Sequence, residues 1–299
     1  MENLFYYHHS VRNSINPLLG ATMEIELIEL FPNSIRLIMS DITLAFVNAI
    51  RRIALADVPS LVIEDVYVLR NTSPLFDEFI AHRLGLIPLK YDADSLELNF
   101  RDQCDCGGIG CNLCTVTLTL SKETDNQTSA VVYSGDLVSS QDGVKPISDK
   151  IPIVKLGPNQ NLELECMAQL GIGKEHAKWQ PVSAIGYQEF PLLKITKDKC
   201  TNCFACIDAC YRGVYQKVGD EVQVANPLNC TLCNYCLDFC EPNAISIQKD
   251  SNRIIVSFET NGGLTPPDVL TKAGDVLLAK IDEFKKTIET QILEEEKKV

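Results

Sequence analysis

No apolar run in the 299-residue sequence approaches the roughly 18 residues that a membrane helix needs, and the amino terminus lacks the charged-then-apolar order of a secretion signal. The expectation is a cytoplasmic protein with no membrane partner. Positive charge is short: Lys+Arg number 27 against Asp+Glu 40, a net charge of -13, which argues against a broad nucleic-acid-binding face and leaves room only for a local basic patch. Catalytic signatures are missing too. There is no phosphate-cradling Gly-rich loop, no HExxH, no nucleophile elbow, and no dinucleotide fingerprint of a flavin or nicotinamide oxidoreductase. His82 and His176 stand apart from the cysteine clusters, and the paired His8 and His9 read as part of a solvated tail. The remaining composition, 45% hydrophobic and 22% charged, is that of a globular chain of about two domains.

What the chain has in excess is cysteine. Twelve of its 13 cysteines fall in three tight clusters, a usage that a reducing compartment puts to metal rather than to disulfides. The other, Cys166, sits in the alternating stretch LELECMAQL and reads as a buried core thiol. In CTNCFACIDAC, Cys200, Cys203, Cys206 and Cys210 have the spacing C-x2-C-x2-C-x3-C, and Cys230, Cys233, Cys236 and Cys240 repeat it in CTLCNYCLDFC. In this pattern three thiolates wrap one iron–sulfur cubane, while the fourth is carried off on the following helix to the other cluster. The expected sets for two [4Fe-4S] clusters are Cys200, Cys203, Cys206 with Cys240, and Cys230, Cys233, Cys236 with Cys210.

The likeness of the repeats extends to YRGVYQK after the first and EPNAISIQK after the second, as in a pseudo-twofold module of the bacterial ferredoxin kind. Tyr211 stands where the pattern has Pro, and Pro242 is displaced behind Glu241, so the turns depart from the pattern while all its ligands remain. Structural zinc fits these cysteines poorly, because zinc sites pair two CxxC units across a gap. A third site lies in CDCGGIGCNLC, where Cys104, Cys106, Cys111 and Cys114 can close tetrahedrally around Zn2+ and Gly107, Gly108 and Gly110 let the loop fold over the ion. Metal-free thiols, a disulfide or another metal stay open there; if zinc, four thiolates leave no vacant position and the role is structural.

The pattern along the chain reads as α+β. Residues 1–22 show no period and read as a loose arm, or Met23 is the natural start. MEIELIELF alternates as a strand, and SDITLAFVNAIRRIALADVP predicts a helix of about four turns with Ser40 or Asp41 as N-cap. That helix is apolar on nearly every side, with Phe46 and Ile50 on one face, so it is central to a large core or meets another chain. Arg51 and Arg52 near its end either compensate the helix dipole in solvent or make a docking contact. LVIEDVYVL, a short helix around FDEFIAHRLGL, and alternating runs at TVTLTL, SAVVYSGDLV, LELECMAQL and SAIGYQEFPLLKI follow. Beyond the cysteine repeats come RIIVSFET and a long amphipathic helix whose apolar stripe includes Leu277, Ile281, Phe284 and Ile288. That stripe packs either on a partner protein or on its own domain.

The strings FVNAIRRIALADVPSLVIEDVYVLRNTSPLFDEFIAHRLGLIPL at 46–89, IPIVKLGPNQNLELE, GIGKEHAKWQPVSA at 171–184 and FETNGGLTPPDVLTKA at 258–273 resemble the D subunit family of archaeal DNA-directed RNA polymerase. That family is related to the third-largest subunit of eukaryotic polymerase II and, more distantly, to the bacterial alpha subunit. The resemblance implies a split alpha-subunit-like dimerisation domain at 23–57 and 252–299, a β-rich inserted domain with a zinc-type loop at 58–195, and a ferredoxin-like di-cluster domain at 196–251. It further implies a heterodimer with the small L subunit, forming a platform for the two large catalytic subunits among the other polymerase subunits, with no catalytic residues and no DNA contact of its own. Arg51 and Arg52 then become candidates for touching a large subunit. The clusters would serve structure or redox sensing in assembly. The competing expectation is a ferredoxin-type electron-transfer subunit of an oxidoreductase complex.

Overall fold

The computed structural model describes residues 10–11, 23–92, 96 and 98–296. The tail histidines His8 and His9, and the rest of the leader apart from Ser10 and Val11, lie outside the described residues. In chain order, β1 (Ser10–Val11), β2 (Glu24–Phe31) and β3 (Ser34–Ser40) precede helix α1 (Leu44–Ala56). Then come β4 (Ser60–Asn71), α2 (Asp77–Gly85), β5 (Leu89–Lys90), β6 (Thr115–Glu123), β7 (Ala130–Tyr133), β8 (Val138–Ser139), β9 (Lys145–Pro146), β10 (Pro152–Leu156) and β11 (Asn161–Gly171). The carboxy-terminal third holds β12 (Val182–Ile195), α3 (Ala205–Ala209), β13 (Tyr215–Val218), β14 (Glu221–Val224), α4 (Tyr235–Asp238), β15 (Ile245–Thr260) and α5 (Pro266–Glu296). The described residues fall into two compact units: one takes in those up to 30 with 36–48 and 186–257, the other 31–35, 49–185 and 258 onward.

The first unit carries most of a five-stranded sheet in the order β1-β2-β3-β15-β12. β3 is buried on both sides, with Ile35, Leu37 and Met39 alternating onto one face and Ile38 onto the other. β15 is a single strand of 16 residues that starts inside the second cysteine repeat, at ISIQK, and continues without a break into RIIVSFET. Its neighbour β12 is 14 residues long and runs directly into the first repeat. Cross-strand ties hold the pair together: Lys249 Nζ sits 3.4 Å from Glu189, Ser251 Oγ donates to Glu189 at 3.0 Å, and the Arg253 guanidinium lies 3.8 Å over the Phe190 ring.

The second unit is built on the antiparallel sheet β4-β11-β6-β8, with Leu164, Cys166 and Ala168 of β11 opposite Val68, Val66 and Ile63 of β4. Alternation puts Leu162, Leu164, Cys166 and Ala168 on one buried face with Leu118 and Leu120 of β6. Cys166 is the core thiol expected, and burial pushes its pKa up to about 12. Helix α2 places Asp77 and Glu78 in its first turn and His82 and Arg83 in its last, in agreement with its dipole, and buries Ile80 and Leu84.

Two helix starts show how local chemistry sets boundaries. The cap of α1 is Thr43, not Ser40 or Asp41: Thr43 Oγ1 accepts from the Phe46 amide at 3.3 Å. Ser40 is taken up by β3, and Asp41 adopts a left-handed φ of 57° that turns the chain before the helix. For α5, Thr265 Oγ1 accepts from the Asp268 amide at 3.4 Å and donates to the Asp268 carboxylate at 2.6 Å, with Pro266 at the first helical position. At 31 residues, α5 is about 46 Å long by the helical rise.

One close packing contact in the second unit admits no side chain. A Cβ on Gly171 would lie 2.3 Å from the Trp179 indole, which is itself buried. Gly171→Ala should therefore destabilise the second unit by about 1–3 kcal/mol through overpacking, read as a lower thermal midpoint. Gly85→Ala, whose Cβ would meet nothing nearer than 3.5 Å, serves as the control and should leave that midpoint in place.

Candidate metal centres

The cysteine repeats fold alike, position by position. Residues thirty apart share left-handed backbone: Asn202 and Leu232 (φ 53° and 58°), Phe204 and Asn234 (62° and 61°), Gly213 and Asn243 (65° and 48°). The turn hydrogen bonds repeat with them: Ile207 N–H to Phe204 O at 2.9 Å matches Leu237 to Asn234 at 2.8 Å, and Cys210 to Ile207 at 3.2 Å matches Cys240 to Leu237 at 3.1 Å. Left-handed φ is costly for Phe204 and Leu232, which have bulky side chains. Both bends fall between the cysteines of a CxxCxxC run and turn them toward one point, after which α3 and α4 carry the fourth cysteine of each repeat away.

That fourth cysteine lands in the other repeat's cavity. One cavity is lined by Cys200, Cys203, Cys206 and Cys240. The other is lined by Cys230, Cys233, Cys236 and Cys210. Electrostatics groups the thiols in the same way. Burial pushes Cys206 up to about 11, and the neighbouring sulfurs of Cys240, Cys200 and Cys203 push in the same direction. Cys230 and Cys236 are raised by burial and then by each other's set, including Cys210. Four sulfurs crowded into one apolar pocket resist becoming thiolates together, and iron would remove that penalty. The donor set therefore suits an iron–sulfur cluster, and the residues that would hold one line a single space.

Three residues that the sequence did not single out complete this region. Tyr215 is buried, and its hydroxyl lies 3.5 Å from Cys236 Sγ. Burial and that contact raise its pKa, so the phenol keeps its proton. The Gln188 amide of β12 donates to the Cys230 carbonyl at 3.1 Å, and the Arg36 guanidinium of β3 donates to the Leu228 carbonyl. The turn bearing Cys230 is thus strapped to two strands of the five-stranded sheet. None of the three carries a sequence signature, because their partners are backbone or sulfur atoms far away in the chain.

In the second unit, the thiols of Cys104, Cys106, Cys111 and Cys114 all lie within 4.8 Å of one another. The separations are 3.6 Å for Cys104–Cys111, 3.7 Å for Cys106–Cys114 and 3.9 Å for Cys111–Cys114. A tetrahedron with Zn–S bonds of about 2.3 Å has edges of about 3.8 Å, so the loop already has zinc-like spacing. The backbone N–H of Gly110 lowers Cys106 to about 6, whereas burial lifts Cys114 to about 12. Gly107, Gly108 and Gly110 all have positive φ, and a Cβ on Gly110 would strike the Met167 methyl at 2.8 Å. Arg101, also unmarked in the sequence, anchors the loop by donating to Gly108 O at 2.8 Å, Asp65 at 2.5 Å and Gln169 at 3.1 Å, on β4 and β11.

The structure separates the candidate contact residues by burial. Ile50 is only 7% exposed and packs inside the chain, whereas Phe46 is 37% exposed, Arg51 is half-buried and Arg52 is exposed. On α5, Leu277 is half-buried, while Leu278, Ile281, Phe284 and Ile288 are exposed at 63%, 52%, 66% and 39%. The anchored part of α5 lies near its start, at Val269 and Ala273, and Lys280 pairs with Asp57 at 2.9 Å.

Comparison with known proteins adds two matched domains. Residues 66–186 match the RNA polymerase Rpb3/RpoA insert domain, and residues 192–241 match a 4Fe-4S dicluster domain. The chain is 42% identical over 262 residues to DNA-directed RNA polymerase subunit Rpo3 of Methanothermobacter thermautotrophicus, covering 87% of this chain and 97% of that protein. It is 38% identical to Rpo3 of Archaeoglobus fulgidus, over 89% of this chain and 98% of the relative, and 37% identical to that of Methanosarcina acetivorans, over 88% and 97%. The chain belongs to the Rpo3 family of DNA-directed RNA polymerase subunits. This is the polymerase family that the strings at 46–89 and 171–184 resemble. Within it, the cysteine-lined cavities occupy the matched dicluster domain, and the Cys104–Cys114 loop lies in the matched insert domain. Among the described residues no helix is long and apolar enough to cross a membrane.

The straps at Arg36 and Gln188 should be measurable without touching any thiol. Arg36→Ala and Gln188→Ala should each speed amide exchange at residues 228–230 by about tenfold, the worth of one hydrogen bond of about 1.4 kcal/mol. Exchange in the Cys104–Cys114 loop should not change.

Proposed function

We infer that the chain is a non-catalytic assembly component of an archaeal DNA-directed RNA polymerase, acting in the cytoplasm as a platform on which other polymerase subunits gather. The observation that carries this reading is the identity to Rpo3 proteins over nearly their whole length. The dimerisation domain comprises 23–57 and 252–299, the inserted domain 58–195 and the ferredoxin-like domain 196–251. The small L subunit covers the apolar stripe of α5 at Leu277, Ile281, Phe284 and Ile288, and the exposure of Ile281, Phe284 and Ile288 supports the assignment. One of the large catalytic subunits binds at Phe46, Arg51 and Arg52. Ile50 backs that surface from inside. The net charge of -13 supports a scaffold that does not itself hold DNA.

The ferredoxin-like domain holds two [4Fe-4S] clusters, one by Cys200, Cys203, Cys206 and Cys240, the other by Cys230, Cys233, Cys236 and Cys210. The cavity linings support these crossed sets. Bound clusters supply cross-links and a redox-sensitive centre, while the chain's own part is to fold two cysteine turns and tie one of them to the sheet through Arg36 and Gln188. Cys104, Cys106, Cys111 and Cys114 hold one structural Zn2+.

Three experiments test this. Anaerobic affinity purification of the tagged chain from its own cells should recover a small L-like protein and the large polymerase subunits, with about eight iron atoms and one zinc per chain. Recovery with flavin or hydrogenase-type subunits instead would favour the electron-transfer reading. In the second, Cys210→Ser and Cys230→Ser should leave the same residual EPR spectrum, with Cys240→Ser and Cys200→Ser sharing the complementary one; pairing within each repeat would overturn the crossed sets. Serine at both repeats together should abolish the protease resistance of residues 196–251.

A further inference from the structure

The two cavities are not equivalent. In the first repeat the residue five beyond the last cysteine is Tyr215, and in the second it is Ile245. Each lines the cavity of its own repeat's fourth cysteine: Tyr215 with Cys210, Cys230, Cys233 and Cys236, and Ile245 with Cys200, Cys203, Cys206 and Cys240. Both cavities have backbone N–H donors to sulfur, from Ala244 to Cys240 at 3.3 Å in one and from Leu232 to Cys230 in the other. Both also have a nearby cation: Lys217 lies 4.3 Å over Phe204 at the first, and Arg212 lines the second. Among the described residues, a buried hydroxyl at sulfur is found only at the second. At the first, Asn202 Oδ1 accepts from the Val222 amide at 3.3 Å and so presents an acceptor, not a donor, to Cys200, and the lining hydroxyl residue, Thr201, is exposed.

We propose that the Tyr215 hydroxyl, hydrogen-bonded to Cys236, makes the cluster held by Cys210, Cys230, Cys233 and Cys236 the first of the two to accept an electron. This rests on the two-cluster reading above. A metal-bound cysteine sulfur has no proton, so Tyr215 is the donor and Cys236 the acceptor. One electron from a low-potential one-electron reductant raises the negative charge on the ligand sulfurs, and a fixed O–H donor stabilises that state more than the oxidised one. No protein bond forms or breaks, and Tyr215 keeps its proton. Ile245 offers the other cavity no such donor. The Tyr215-side cluster is also the one whose Cys230 turn is strapped to β3 and β12 by Arg36 and Gln188. The first electron therefore enters at the turn that is tied to the scaffold sheet.

The test is an EPR-monitored potentiometric titration of the anaerobically purified full chain carrying its clusters. Wild type should reduce in two separate waves. Tyr215→Phe should lower the higher wave by about fivefold in the reduction equilibrium, ~40 mV for one electron, and leave the lower wave in place. Tyr211→Phe, which changes a 75% exposed residue beside the same cavity, should move neither wave. If Tyr215→Phe fails to retain its clusters, 3-fluorotyrosine at position 215 takes its place. Its more acidic phenol donates more strongly and should raise the higher wave. Eight iron atoms per chain with waves unmoved by either change at Tyr215, or movement of the lower wave alone, would overturn the role of Tyr215 and leave the two-cluster reading standing. Four iron atoms and a single wave would overturn both.

Discussion

The first unit depends on the adjacency of β12 and β15. These long strands leave the five-stranded sheet side by side and become the two ends of the cysteine module. A small iron–sulfur domain joined by flexible linkers could gain or lose its metal without consequence for its host. Here the backbone is continuous, and Glu189, Phe190, Lys249, Ser251 and Arg253 bind the strands where they leave the sheet. Order in the module and order in the sheet are therefore coupled through ladder hydrogen bonds, with Arg36 and Gln188 as a second connection at Cys230.

The module itself is poor in conventional core. Its buried cluster consists of Val214, Tyr215, Val222, Ala244 and Ile245 together with Cys206, Cys230, Cys236 and Cys240, so sulfur occupies places that Leu or Ile would take elsewhere. A domain this small buries little apolar surface. Metal ligation would supply what packing cannot: burial and the neighbouring sulfurs raise the thiol pKa values, so the cysteines resist holding that many charges without a cation among them. The Cys104–Cys114 loop is different. It is held by Arg101 against a fully formed sheet, and its sulfurs are already spaced for a tetrahedral ion.

The exposed apolar stripe of α5 fits a protein whose work is contact. Its start is capped by Thr265 and buried at Val269 and Ala273, while its later turns present Ile281, Phe284 and Ile288 outward. A helix anchored at one end and apolar at the other is what an assembly partner requires, and membership in the Rpo3 family gives that requirement its context.

The cysteine spacing by itself pointed to an iron–sulfur module and to the crossed grouping that the two cavity linings share, because three ligands within seven residues constrain one another locally and the fourth must follow the helix. Local periodicity likewise determined the alternation of β4, β6 and β11 and the extent of α5. Other features depended on atoms distant in sequence, and only the tertiary structure decided them. Thr43 displaced Ser40 and Asp41 as the cap of α1 because β3 claimed Ser40 for its ladder. Ile50 turned inward although its periodicity matched that of exposed Phe46, since a helix apolar all round does not say which side meets its own chain. Arg36, Gln188, Arg101 and Tyr215 act on carbonyls and sulfurs that no motif records. Long-range contacts of this kind arise from where the strands bring the chain together, and for that reason the inequality of the two cysteine cavities became visible only in three dimensions.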